Sequence, residues 1–296
     1  MPKVVIVDQE SNLVYSNKYG LGQVEKKIGH HGLRINFNGK RRDMDYNHYH
    51  NAGMLDYVVL GRMLCVKYLK QRGVRYLVHF TPTENLPSIL QNGIQPRSEQ
   101  SGTAIWTDGD RYDGHIDCSS FSITYPNYSM LYQKRKNMQD RRFAILMIDI
   151  NALMSLNEED VAFYPTNAAS GNSRTEEYKE RTGVKALQQM FADEVREGNN
   201  VVSRNEQFIP NNCATCPQAE ILIRGTVPSK FITKIIIHED TNFSYLPTSL
   251  PSSIEVAKNN DVFWPQGKWE NYNQMKRGKN NGYQTCVYGQ QLAAVC

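Results

Sequence analysis

Long apolar runs are missing from this chain. The longest apolar stretches, Phe143 to Ile148 and Ile235 to Ile237 with their neighbours, fall far short of the roughly 20 residues of a membrane-spanning helix. Met1 to Asp8 holds one short apolar run, Val4 to Val7, and then turns acidic, which is not the pattern of a secretory leader. These absences predict a cytoplasmic protein with no membrane partner. Excess charge is scarce too: +4 over 296 residues, with a pI near 8.6. That balance permits a polyanionic partner without demanding one. Cysteine is sparse and irregular. Cys65, Cys118, Cys213, Cys216, Cys286 and Cys296 do not form a disulfide framework, and a chain of this size needs none. Cys213 and Cys216 make a lone C-x-x-C without a second pair or histidines at ligand spacing. A reduced pair in a loop is expected, and no metal site.

What is present suits a globular enzyme. The hydrophobic share of 40% and charged share of 22% are those of a chain that buries a core. Basic residues cluster at Lys40 to Arg42, and again at Lys134 to Lys136 with Arg141 and Arg142. Either cluster reads equally as a solvated face or as a polyanion contact. Residues 1–72 read as an N-terminal extension: a strand at Val4 to Val7, loop from Asn17 to His50, and a helix over 52–71 ended by Gly73. Residues 73–240 form the core, with a strand at Tyr76 to Phe80. Thr83 is expected to cap a short helix, Glu84 to Asn92, that Gly93 stops. Further strands are expected at Phe143 to Asp149, Ala219 to Ile223 and Phe231 to Ile237. Helices are expected from Tyr128 and over Lys185 to Val195. Residues 241–296, rich in Pro, Ser, Asn and Gly, read as an irregular extension packing on the core. Strands and helices come in mixed order, so the class is α+β.

Three groups of residues bear on chemistry. Gln218 and Glu220 stand two apart at the mouth of a strand, a spacing that puts both on one face. A carboxylate there can hold a ribose 2′-hydroxyl and stabilise the oxocarbenium-like charge that develops as nicotinamide leaves NAD. The amide can recognise an acceptor. Taken alone, such a glutamate is more often a solvent-facing strand residue. His79 ends a strand just before a helix N-terminus, a place suited to a nucleotide; alone it reads more often as a core histidine. Ser119, Ser120, Ser122 and Thr124 line a strand with hydroxyls. Tyr128 or Tyr132 after it can stack on a nicotinamide ring, or the strand is simply an edge with a wet face.

In this order the phrases VHFTPTENLPSILQNG, SITYPNYSMLY, Asn167-Ala168-Ala169-Ser170 and PQAEILIRGTVPSKFITKI resemble the DarT family of ADP-ribosyltransferase toxins, over roughly Arg75 to His238. The resemblance implies an ADP-ribosyltransferase-like fold, with central mixed and antiparallel sheets around an NAD cleft and flanking helices. It implies NAD as co-substrate, no metal, and transfer of one ADP-ribose to a base of single-stranded DNA or RNA. Glu220 would be the catalytic residue, with Gln218. His79, Phe80, Thr81, Asn85, Ser122, Tyr128 and Tyr132 would bind NAD. Asn167, Ser170, Lys134 and Arg135 would bind the acceptor, together with the loop from Glu197 to Pro217. Trp106, Tyr112 and Phe163 are candidates to stack on unpaired bases. The resemblance further implies a toxin of a toxin–antitoxin or phage-defence system, restrained by a macrodomain hydrolase or a cleft-capping protein. The sequence departs from the thymidine-modifying pattern in one place. Pro126-Asn127-Tyr128-Ser129 stands where that pattern has an arginine, and Lys134, Arg135 and Arg97 are the candidates to replace its charge. Two alternatives remain: transfer to a protein or a tRNA, and an inactive nucleic-acid-binding relative.

Overall fold

The computed structural model describes residues 4–8, 13–16, 20–28, 32–37, 39–45, 54–100, 104–105, 113–139, 141–170, 177–207 and 209–263. Strands β1 (Val4–Asp8), β2 (Leu13–Ser16), β3 (Gly20–Ile28), β4 (Gly32–Phe37) and β5 (Lys40–Asp45) form an antiparallel meander in that spatial order. The expected loop from Asn17 to His50 is therefore mostly sheet. In β4, Leu33, Ile35 and Phe37 alternate with Arg34 and Asn36, the period of a half-buried strand. Gly39, between β4 and β5, has φ +85°, the positive φ that tight hairpin turns use. The many glycines and charges around this alternation hide it. Ile35 and Phe37 are buried over Gly22, where a Cβ would lie 2.5 Å from Ile35. Arg34 pairs with Asp43, and Arg41 with Glu25 at 2.8 Å. One cation of the Lys40 to Arg42 cluster is thus already matched.

Helix α1 (Met54–Gln71) follows. It ends where Gly73 and Val74 donate their backbone N–H groups to Lys70 and Leu69, a glycine-assisted stop. Leu64, Cys65, Val66 and Leu69 enter the main core, so this helix packs as part of the central body. Next come β6 (Tyr76–Pro82), a 3-10 turn (Thr83–Asn85) and α2 (Leu86–Asn92). Thr83, the expected cap, lies inside the turn. Its hydroxyl donates to Glu84 at 3.4 Å, and Asn85 is the residue that precedes α2. Gly93 has φ +87°, and a Cβ there would meet the Val227 carbonyl at 2.5 Å. No other residue fits that position.

The rest of the body contains β7 (Cys118–Ile123), α3 (Tyr128–Asn137), β8 (Phe143–Asp149), β9 (Val161–Tyr164), α4 (Gly183–Gln189), β10 (Glu194–Glu197), β11 (Asn200–Ser203), α5 (Arg204–Gln207), β12 (Glu220–Arg224), β13 (Ile232–Ile237) and β14 (Glu255–Lys258). The helix expected over Lys185 to Val195 ends at Gln189. Leu187, Met190 and Phe191 are buried as expected, but Val195 belongs to β10. Seven strands form the sheet β14-β13-β8-β6-β7-β12-β9. It is mixed: β13 and β14 run parallel, the other pairs antiparallel. The fold class is α+β.

Alternation along the strands divides the interior in two. In β8, Ala144, Leu146 and Ile148 face the core that holds α1 and α4. Phe143, Ile145 and Met147 face a second cluster with Leu131 of α3, Val262 and Phe263. Burial on both sides explains why β8 is apolar throughout. Each large aliphatic side chain so buried contributes about 1.5–3 kcal/mol before entropy. Residues 241–263 therefore pack on the body through β14 and Phe263. Among the described residues no helix is long and apolar enough to cross a membrane.

Candidate active site

The cleft arises from a split in the sheet. Strands β6 and β7 pair only at Leu77 with Ile123 and Val78 with Ser122. Beyond Val78, β6 stays with β8, while β7 stays with β12. The gap between them opens into a cavity of about 370 Å³. His79 stands at the fork, its Nδ1 2.9 Å from the Ser120 carbonyl. That carbonyl only accepts, so Nδ1 carries the proton and Nε2 is left as an acceptor. The ring also lies 5.3 Å from Phe121. Burial holds the His79 pKa below the ordinary 6.5, against the raising effect of Ser120, so the ring is neutral at pH 7.

His79 therefore makes stability sensitive to acid. Its folded pKa is depressed, so its stabilising share is complete above 6.5 and fades as pH falls from there to the folded value. His238, also lowered, first by burial and then by Arg135, adds to the same window. Urea midpoints measured across this range are expected to fall with acidification, and less steeply in His79→Gln. An equal slope in the variant would contradict this account.

Glu220 opens β12, is 5% exposed and lines the cleft. Its Oε2 accepts the Ala168 backbone N–H at 2.9 Å. Asn167 and Ala169 line the same space, with Asn167 Oδ1 accepting from Ala169 N at 2.8 Å. Phe80, Thr81, Asn85, Ser122 and Lys134 line it too, beside Ser119 and Ser120. Asn85 is spent within the chain. Its amide donates to Thr81 Oγ1 at 3.0 Å and to the Ile105 carbonyl at 2.9 Å, and it accepts from Ile105 N. These bonds brace the cleft wall.

Several expected residues are not brought to this cleft. Gln218 lies before β12 and donates to Glu197 at the end of β10. The strand begins only at Glu220, so the two-residue spacing does not put both side chains on one face. Tyr128 packs edge-on against Tyr125. Ser170 meets Thr166 at 3.3 Å. Tyr132 and Arg135 face the other side of α3, since two residues along a helix is about 200° of rotation. Phe163 is 2% exposed in the main core and cannot stack on a base. Trp106 and Tyr112 lie outside the described residues.

Of the three candidates for the missing arginine charge, Arg97 and Lys134 line the cleft. Arg135 instead donates to the Phe263 carbonyl at 3.0 Å. Asn127 is 2% exposed and lines the cleft. It caps α3 by accepting from Met130 N at 3.1 Å, and its own N–H donates to Ser122 Oγ. Its Nδ2 has no hydrogen-bond partner among the described residues, a buried donor that a ligand would satisfy.

The loop before Glu220 is clamped from three sides, which sequence reasoning missed. Arg204 of α5, 8% exposed, donates to the Cys213 and Pro210 carbonyls and to Thr215 Oγ1. Arg72 beyond α1 donates to Asn211 and to the Phe191 carbonyl. Thr124, at φ +63°, donates to the Asn212 carbonyl at 2.6 Å. That backbone conformation is rare for a β-branched residue. The only advance signal was an arginine in a polar loop. Cys213 and Cys216 are buried free thiols, pushed up to about 12 by burial. One cluster among the described residues, His115, Asp117 and Cys118, has metal-ligand atoms within 4.8 Å of one another. Arg224 already pairs with Asp117 at 2.6 Å, so this donor set does not suit a cation.

A model of the family described as "DarT: ssDNA thymidine ADP-ribosyltransferase, DarT" matches residues 78–269, a span that includes every residue lining the cleft. The chain belongs to the DarT family. It is an NAD-dependent ADP-ribosyltransferase. Among solved structures it is similar to Thermosipho africanus DarTG in complex with ADP-ribose, at 18% identity over 64% of this chain and 51% of that chain, with a TM-score of 0.42. This chain thus spans about half the length of that protein. It is also similar to Thermus sp. 2.9 DarT in complex with carba-NAD+, at 15% identity over 64% of this chain and 98% of that one, TM-score 0.43. The same DarT in complex with ADP-ribosylated ssDNA gives 14% identity, 64% and 96% coverage, and a TM-score of 0.40. No curated protein matches the sequence.

Proposed function

We propose that this enzyme transfers a single ADP-ribose from NAD to a base of single-stranded DNA and releases nicotinamide, with Glu220 as the catalytic residue. The observation that carries the reading is the Glu220 carboxylate, buried in the cleft between the parted strands and oriented by the Ala168 N–H. The bond from the nicotinamide-ribose carbon to the pyridinium nitrogen breaks, and the pair of electrons leaves with neutral nicotinamide. A base nitrogen forms the new bond to that carbon, and its proton passes to Glu220. The carboxylate holds the ribose 2′-hydroxyl and stabilises the oxocarbenium-like charge. His79 and the β7 hydroxyls frame the nicotinamide side. Arg97, Lys134, the N-terminus of α3 and Asn127 Nδ2 supply donors and positive charge for the diphosphate. Asn167 and the segment from Glu197 to Pro217, which in place of one loop holds β11 and α5 before the clamped turn, receive the acceptor. The base must be unpaired to enter, which favours single strands.

Such adducts block templating, so the enzyme acts as a toxin in the cell that makes it. This supports a role in a toxin–antitoxin or phage-defence system and an antitoxin that removes the adduct or caps the cleft. Dependence on NAD and nucleic acid supports a cytoplasmic site of action. The test is incubation with labelled NAD and single-stranded DNA, duplex DNA, RNA or protein, beside Glu220→Gln. Label on single-stranded DNA that depends on Glu220 supports the reading, and digestion to nucleosides identifies the base. Label on RNA alone changes the polymer. Label on protein alone, or on nothing, overturns the reading.

A further inference from the structure

Helix α3 is a ridge with two working faces. Met130, Gln133 and Lys134 line the NAD cleft. Tyr132, Arg135 and Lys136 line a separate groove of about 430 Å³. The two sets are offset by two residues, about 200° around a helix. Leu131 lies between them and packs into the core with Val78 and Phe143. Arg141, Arg142 and Phe263 complete the groove's far wall. The basic run that reads as one patch in the sequence is therefore split, and most of it faces away from NAD.

The groove's charges do not cancel. Arg141 is matched by Glu84 at 2.9 Å, and Asp240 lines the groove with its carboxylate 86% exposed. Against Asp240, and Glu239 near His238, stand Arg135, Lys136 and Arg142, with the His238 pKa lowered by burial and by Arg135. The arginines are pre-set by stacking: Arg135 lies 5.2 Å from the Phe263 ring and Arg142 5.9 Å from the Tyr245 ring. Tyr132 is 40% exposed on a helix. Thr241 lines the groove, and its buried hydroxyl has no partner among the described residues. Arg135, Lys136 and Arg142 thus stand with the exposed Tyr132 along one groove. Cations that follow a backbone, with an aromatic on which a base can stack, are the pattern of single-strand binding.

We infer that the groove behind α3 holds the phosphodiester backbone of the acceptor strand outside the nucleotide being modified. The inference rests on the proposed nucleic-acid substrate. The ridge is about 10 Å across, so a strand with its reactive base in the cleft reaches the groove only if it extends past that base. Length dependence follows. At about 3.4 Å or more per nucleotide, a strand of about two nucleotides uses the cleft alone, and one of about twenty uses both.

The test compares the full chain with Lys136→Gln/Arg142→Gln. Binding of labelled single-stranded DNA of the two lengths is followed by fluorescence anisotropy across a salt series, with transfer kinetics and nicotinamide release alongside. For the long strand, affinity is expected to drop about tenfold at low salt, and the slope of log K against log salt to fall by about 1.4, or 0.7 for each of two phosphates. Short-strand binding, NAD KM and the unfolding midpoint are expected to stay at wild-type values. Unchanged long-strand affinity, or an equal loss for both lengths, overturns the groove. If no nucleic acid accepts ADP-ribose, the proposed substrate fails, but the length-selective loss of anisotropy still tests the groove by itself.

Discussion

Exchange of Glu220 for glutamine lowers nicotinamide release from NAD about a thousandfold, the scale on which removing one charge from the reacting centre acts. The amide oxygen still accepts the Ala168 N–H bond made by Oε2, so the site's shape is kept and only the charge is lost. NAD KM changes little, since a neutral ground-state sugar gains less from the carboxylate than the cationic transition state does. The measurement is single-turnover release of nicotinamide, with the thermal midpoint as a folding control. A variant that keeps its midpoint and more than about a tenth of the rate would remove Glu220 from the chemistry and leave the cleft without its nucleophile-side acid or base.

Arg204→Ala is the second large effect. Arg204 is buried and makes three hydrogen bonds, at 2.9 Å to the Cys213 carbonyl, 3.0 Å to Thr215 Oγ1 and 2.7 Å to the Pro210 carbonyl. Its loss orphans the Cys213 carbonyl inside the loop, while the Pro210 carbonyl keeps the Cys213 N–H at 3.0 Å, with a cost of about 1–3 kcal/mol. The loop leads directly to β12, so the variant is expected to transfer ADP-ribose to an acceptor poorly while still hydrolysing NAD. Arg204→Lys, able to satisfy one carbonyl at a time, falls between. Urea unfolding gives the stability, and the ratio of transfer to NAD hydrolysis gives the loop's role. A destabilised variant with an unchanged ratio would make Arg204 structural alone.

Strong local patterns carried the sequence reading. The apolar run of β8, the Gly93 stop after α2 and the strand that bears Glu220 all declare themselves within a few residues, because burial on both faces, a positive φ and a β-branched run each restrict local composition. The N-terminal meander escaped because its alternation in Leu33, Ile35 and Phe37 is diluted by glycine and charge, and its partners come from neighbouring strands. Gln218 misled for a related reason: two-residue spacing places side chains on one face only within a strand, and β12 starts two residues later.

By itself, the sequence determined the class, the family and the order of the strands that carry His79 and Glu220. The class and the strands follow from composition and short-range periodicity, and the family from the phrases around His79 and Glu220 that resemble it. The tertiary structure alone decided that β6 and β7 part after Val78 to make the cleft, that Arg97 and Lys134 enter it while Arg135 does not, and that Arg72, Thr124 and Arg204 converge on one loop. Those facts depend on contacts between segments far apart in the chain and on which side of α3 a residue falls. A run of basic letters does not say which way each side chain points; the rotation of the helix about its axis, set by Leu131 in the core, does.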